Sequence, residues 1–368
     1  MNKKFLGIAA VAFIAITFSY NASAQTKNYK PAVIAYYAGP PTLIDSFDTR
    51  QVSHIIYSFG HLKGNELHIN NARDTLTIQN LVAQKAKNPD LKVMLSLGGW
   101  GGCKDCSDVF SSKKGRRQFT KSVKELLNYF HGDGIDLDWE YPAIEGYPGH
   151  TFRPEDKANF TALVKKLRKK LGKEKLISFA AGGFNTFLQQ SVDWKTVMQY
   201  ASFVNLMTYD LVNGMSTITG HHTPLFSSPQ NIESGDNAIK YLIAAGIPAN
   251  KLVLGAAFYG RAFDSVQNVN NGLFQTGRFK SYVPSRFFDS TFTPNNGFLY
   301  YWDDIAKAPY YYSSSTQTFV TFEDKKSIAL KTLYAIDNKL FGIMFWQLTE
   351  DKFKDGLLQS INNVLRGE

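Results

Sequence analysis

Residues 133–142 read DGIDLDWEYP. As a β-strand this stretch points successive side chains to opposite faces, so Asp136, Asp138 and Glu140 share one side. Ile135, Leu137 and Trp139 make the other side apolar, which argues against an exposed acidic edge. Carboxylates two residues apart on a strand lie about 6 to 7 Å from each other. Two full charges at that spacing repel by roughly 2 to 3 kcal/mol at an effective dielectric near 20. The row is therefore expected to hold at least one proton, with a raised pKa that keeps a neutral carboxyl available as an acid. Glu140, nearest the open end of the strand, is the group a substrate meets. Three oxygens can also bind Ca²⁺ or Mg²⁺, but hard-ion sites draw ligands from several loops and this row is linear. No metal and no other cofactor is expected.

The strand is one of eight. Runs rich in β-branched and aromatic residues occur at 32–37, 54–59, 92–97, 134–140, 176–181, 203–209, 252–259 and 341–346. Helical spacing fills the intervals near 76–87, 115–131, 155–171, 193–200, 235–245 and 325–338, with a last helix near 351–365. Strand alternating with helix eight times predicts an α/β fold, a (β/α)8 TIM barrel, with a doubly wound open sheet as the alternative. The turn after the first run, YYAGPPTL, has neither G-x-G-x-x-G nor a P-loop, which disfavours a nucleotide-binding open sheet. Polar and aromatic residues gather where the runs end, at Tyr36, Ser96, Glu140, Tyr209, Asp210, Tyr259 and Trp346. That is the face on which barrels build their sites.

About eighty residues separate Tyr259 from Phe341, and they contain strand-like runs at 279–283, 298–302 and 316–322. This length exceeds an ordinary connection and predicts a small α+β insertion subdomain between strands 7 and 8. The expected division is a signal peptide over 1–24, the barrel over 25–260 and 336–368, and the insertion over 261–335. The insertion would stand beside the site and turn it into a groove.

The first residues have a targeting pattern. Lys3 and Lys4 precede an apolar run to Phe18, and Ala22-Ser23-Ala24 matches a cleavage site. The run falls short of the roughly 20 residues that span a bilayer. A cleaved signal peptide is therefore expected over an uncleaved anchor, giving a secreted or periplasmic monomer with no membrane association after cleavage. The chain of 368 residues is 44% hydrophobic and 20% charged, with a formal charge of +10. Its lysines around 165–170 surround Leu163, Val164 and Leu167 as the wet face of an amphipathic helix does, and no nucleic-acid partner is expected. The only cysteines, Cys103 and Cys106, lack the further ligands of a zinc site; in an exported chain they read as a small loop disulfide, with free thiols as the alternative. The adjacent His221 and His222 read as structural.

DGIDLDWE resembles the D-x-x-D-x-D-x-E signature of glycoside hydrolase family 18, the chitinase family. SLGG at 96–99, MTYD at 207–210, FYGR at 258–261 and MFW at 344–346 resemble the family's motifs on strands 3, 6, 7 and 8. The resemblance implies the (β/α)8 fold and an exported chitinase acting on chitin or chitooligosaccharides with retention. It further implies substrate assistance, with Glu140 as acid and base and Asp138 orienting the sugar acetamide. Asp136 shares a proton with Asp138, and Tyr209 binds the acetamide carbonyl. Asp210, Met207 and Trp346 would contact the sugar, with Trp346 as its platform. Tyr36 and Ser96 support the aspartates, Tyr259 and Arg261 bind sugar groups, and Trp100 extends the groove on the leaving-group side. Asp133, Gly98 and Gly99 are structural. Two other readings share the motifs: an endo-β-N-acetylglucosaminidase acting on N-glycans, and a chitin-binding lectin, against which the presence of Glu140 counts. Met215 stands where many processive relatives carry a tryptophan, and GGCKDC departs from the more aromatic loop of relatives.

Overall fold

The computed structural model describes residues 29–368, and the expected signal peptide lies outside them. Eight parallel strands close into a barrel: β1 (Ala32–Tyr37), β2 (His54–Lys63), β4 (Lys92–Gly98), β5 (Gly134–Asp138), β6 (Leu176–Gly182), β7 (Val204–Met207), β8 (Leu252–Ala257) and β14 (Gly342–Trp346). A short β3 (Glu66–His68) folds back antiparallel on β2. Closure is direct, because β1 pairs in parallel with both β14 and β2.

The strands are buried on both faces, which is why they read as short apolar runs without a clean polar alternation. Outward residues such as Ile135, Leu137, Ile177 and Phe179 pack beneath the surrounding helices. Inward residues, among them Ile34, Ile56, Met94, Val253 and Met344, fill the barrel centre. A separate five-stranded antiparallel sheet, in the order β10-β9-β13-β12-β11, interrupts the barrel between β8 and β14. Its strands are β9 (Tyr259–Asp264), β10 (Arg278–Pro284), β11 (Leu299–Asp303), β12 (Ala308–Ser313) and β13 (Thr318–Thr321). The helix Lys325–Asp337 then returns the chain to the barrel, with Ile328 and Ala335 in the main core.

Several element boundaries differ from the sequence expectation, those of the acidic strand and of the last helix among them. The acidic strand ends at Asp138, so Glu140 sits just past it, on the turn that opens the catalytic face. The last helix begins at Leu357 rather than near 351. The Asp351 carboxylate accepts the N–H groups of Leu357 and Leu358, so this residue caps the helix from outside and 352–356 form a loop.

Candidate active site

The register of three neighbouring strands sets the base of the site. Ser96 of β4, Asp136 of β5 and Ser178 of β6 pair side by side, so all three enter the barrel at one level. Ser178 Oγ at 2.6 Å and Asn205 Nδ2 at 3.3 Å donate to Asp136 Oδ1. Ser96 Oγ at 2.8 Å and the Tyr36 hydroxyl at 3.1 Å donate to Oδ2. Burial pushes the Asp136 pKa up, and these four donors oppose that rise. A carboxylate with both oxygens filled by donors is the form such a cradle accommodates.

One step up, Asp138 has no such cradle. Its Oδ1 is buried without a hydrogen-bond partner. Burial, then the charges of Glu140 and Asp136, push its pKa well above the ordinary value. Of the three carboxyls, Asp138 is the one whose surroundings most favour the protonated form. Burial raises Glu140 to about 7, with the Tyr141 hydroxyl opposing and the Asp210 charge adding to the rise. Glu140 is thus divided between acid and base near neutrality, which suits a group that must both give and take a proton.

These carboxyls open into a cavity of about 830 Å³ lined also by Tyr36, Trp100, Met207, Tyr209, Asp210, Tyr259, Arg261 and Trp346. Trp346 ends β14 with its ring stacked on Phe59 at 5.6 Å between centroids and tilted against Tyr36 at 5.9 Å. Tyr209 is buried, its hydroxyl 3.9 Å from the Met344 sulfur. Trp100 stands half-exposed on the rim, packed edge-on against Tyr147.

Asp210 anchors the opposite wall. Arg261 donates to it through Nε and Nη2, both at 2.6 Å, and the Tyr259 hydroxyl donates at 2.6 Å. Burial opposes its charge, but the Arg261 guanidinium, through its two hydrogen bonds and its charge, holds the carboxyl well below the usual range. The bidentate pair joins the barrel to the first strand of the inserted sheet. His222, fully buried, is kept neutral by burial with a pKa of about 4, and its Nδ1 is 3.6 Å from Asp210, beyond a good hydrogen bond.

The remaining sequence candidates lie around this centre. Asp133 faces away from the barrel interior, where it accepts the Val93 N–H at 2.6 Å and pairs with Lys85 at 2.6 Å. Gly98 has φ +111°, and a Cβ there would lie 2.1 Å from the Asp138 carbonyl oxygen. Gly99, at φ +81°, lets the Phe59 ring pass beneath the platform. Cys103 and Cys106 form a buried disulfide. Among the described residues no group of three His, Cys, Asp or Glu side chains is arranged to hold a metal ion, and no helix is long and apolar enough to cross a membrane.

Several residues of the site escaped the sequence reading. Ser178 and Asn205 complete the Asp136 cradle, Tyr141 modulates Glu140, and Phe59 backs Trp346. From the inserted sheet Tyr282 enters the cavity, stacked on Tyr259 at 4.4 Å. Ser178 and Asn205 had a usable signal, each being a polar residue in an otherwise apolar strand.

Comparison with known proteins agrees with this arrangement. Residues 18–351 match the model of the glycosyl hydrolases family 18. Chitinase A1 of Niallia circulans is 36% identical over 301 residues, which cover 75% of this chain and 43% of that protein. Chitotriosidase-1 of Mus musculus is 30% identical over 334 residues, covering 83% of this chain and 68% of the relative. A family 18 N-acetylglucosaminidase from Paenibacillus barengoltzii superimposes with a TM-score of 0.83 at 32% identity, over 91% of this chain and all of that one. The chain thus spans less than half the length of the first of these relatives and the whole of the last. A barrel carrying this acidic row, matched across nearly all of its described length, belongs to glycosyl hydrolases family 18.

Proposed function

We propose that the chain is an exported chitinase that hydrolyses β-1,4-linked N-acetylglucosamine chains with retention, the sugar's own acetamide acting as nucleophile. The observation that carries this reading is the graded row beneath the cavity: Asp136 cradled by four donors, Asp138 with an unpartnered oxygen, and Glu140 near pKa 7 at the opening. The names of the Niallia and mouse relatives support chitin as the polymer.

In the first step Glu140 gives its proton to the glycosidic oxygen as the bond to the anomeric carbon breaks. The acetamide carbonyl oxygen closes on that carbon and forms an oxazolinium ion. Asp138 accepts the acetamide N–H, aligning the carbonyl oxygen for attack and offsetting the positive charge on the ring. Asp136, two residues below, shares a proton with Asp138 and so tunes when that neighbour is charged. Tyr209 donates to the acetamide oxygen, and Trp346 covers the C–H face of the sugar. In the second step the ionised Glu140 takes a proton from water as its oxygen attacks the anomeric carbon, which restores the acetamide and the starting configuration. No step requires a metal.

The test is Glu140→Gln. Turnover of chitohexaose should fall by about three orders of magnitude or more, within the range assigned to a general acid, while oligosaccharide binding persists. Hydrolysis at the wild-type rate would refute the assignment. The Paenibacillus relative favours a second reading, in which single N-acetylglucosamine units are released. The product ladder from chitohexaose separates the two, since endo cleavage gives intermediate oligomers at the earliest times.

A further inference from the structure

The described cavity wall carries the carboxyls of Asp138, Glu140, Glu145, Asp210 and Glu233 against a single cationic side chain, Arg261. Arg261 is committed to Asp210 by two hydrogen bonds. Asp138 and Glu140 belong to the acidic row, and Glu145 is exposed, where water and salt screen it. Glu233 is left over: it is half-buried, it lines the cavity, and the mechanism above gives it no part.

Its position is fixed from both sides. Ser228 and Asn231 exchange backbone hydrogen bonds just before it. Just after it, Ser234 caps the helix Gly235–Ala244 by accepting the Asn237 N–H. Glu233 Oε1 accepts the Asn185 N–H at 3.0 Å, which ties the side chain to the segment following β6. Phe184, next to that anchor, packs on Tyr141 at 5.4 Å, and Tyr141 meets Trp100 at 6.4 Å between centroids. Glu233 thus adjoins a run of rings that leads to Trp100, the side on which the reading above places the departing part of the chain. Its second oxygen, Oε2, has no hydrogen-bond partner among the described residues and is open to solvent. Burial raises the Glu233 pKa, only the Asn185 N–H opposes that rise, and among the described residues no cation pairs with it.

A half-buried carboxylate with one oxygen unpaired gains most from a ligand that brings both a positive charge and N–H donors. A divalent metal ion needs several oxygen ligands, and no such group is arranged among the described residues. A fully acetylated sugar chain is neutral throughout. A unit that has lost its acetyl group instead presents a primary amine, protonated in mild acid, which donates as a lysine ammonium does.

We propose that Glu233 binds the ammonium group of a glucosamine unit, so that the cavity selects partly deacetylated chitin. The unit at the cleavage point keeps its acetamide, because that group is the nucleophile, and the unacetylated unit lies toward Glu233. The proposal rests on the chitinase reading above and specifies its substrate further.

The experiment uses the full chain at pH 6 with two soluble substrates, chitohexaose and a chitin polymer with half of its units deacetylated. The readout is the ratio of kcat/KM on the polymer to kcat/KM on chitohexaose. Glu233→Gln keeps an oxygen for the Asn185 N–H and removes the charge. The ratio should fall about tenfold in this variant, within the range for a charge-assisted hydrogen bond. Sequencing of the wild-type products by mass spectrometry should show N-acetylglucosamine at the new reducing ends. Glucosamine should be enriched, relative to the starting polymer, in the first two units at the new non-reducing ends, and the variant should lose that enrichment. An equal loss on both substrates would mean that Glu233 takes a sugar hydroxyl instead. That result, an unchanged ratio, the absence of enrichment in the wild-type products, or a wild type that cleaves chitohexaose but not the polymer refutes the proposal while the chitinase reading stands. A folded wild type that cleaves neither substrate overturns both.

Discussion

Tyr141→Phe separates burial from hydrogen bonding at the acid. The Tyr141 ring is packed between Phe184 and Phe187, each at 5.4 Å, so phenylalanine keeps the packing and removes only the hydroxyl. Burial lifts Glu140, and the Tyr141 hydroxyl is the principal group holding that rise to about 7. A full hydrogen bond to a charged group contributes at most about 3 kcal/mol. One pKa unit corresponds to about 1.4 kcal/mol, so loss of the hydroxyl should raise the Glu140 pKa by up to about two units. The acid must be protonated to act, so the rate on the alkaline side is lost as pH rises through this pKa. In the variant that limb should move to higher pH, by up to the same amount. The assay is kcat/KM on a chitooligosaccharide from pH 5 to 9.5, which reports the free enzyme. Because Glu140 and Asp138 titrate together, the limb belongs to the pair. A limb that stays in place, or moves to lower pH, would refute the account of how the acid is tuned.

Three further outcomes follow from the same structure. Glu140 has a folded pKa raised from 4.5 to about 7, so its contribution is full below pH 4.5 and is lost as pH climbs to 7. By linkage the loss is on the order of 3 kcal/mol; Glu140→Gln should therefore melt higher than wild type at pH 8, and calorimetry should show the gap closing toward pH 4. Ser178→Ala removes the shortest donor to Asp136, and kcat/KM should drop at least tenfold, as expected for a buried charge-assisted bond; unchanged kinetics would mean the cradle is not needed. Lys331 and Glu323 form an ion pair buried at 0% and 1% exposure. Lys331→Met should cost about 3 to 5 kcal/mol by stranding a carboxylate, more at high pH than at low, and adding Glu323→Leu should restore most of it in thermal melts.

The acidic row was legible because a strand alternates with period two, so a short string of residues fixed which side chains share a face. The barrel was legible from the eightfold rhythm of apolar runs, and the insertion from the one interval that broke it. What supports the row was not legible. Ser178 and Asn205 meet Asp136 only because adjacent strands stand in a particular register, which no local pattern encodes. Tyr282 and Glu350 are 68 positions apart and come together through packing of the sheet on the barrel. The helix start at Leu357 was misread because Asp351 satisfies its N–H groups from six and seven residues away, a longer reach than an ordinary cap.

The inserted sheet joins the barrel without a joint. Barrel strand β8 ends at Ala257 and β9 begins at Tyr259, with a single residue between them. On the return path, Glu323 is locked to Lys331 and Thr223 within two residues of β13. A wall joined this closely to the barrel at both seams offers a sugar strand a trough that is already shaped before the strand arrives.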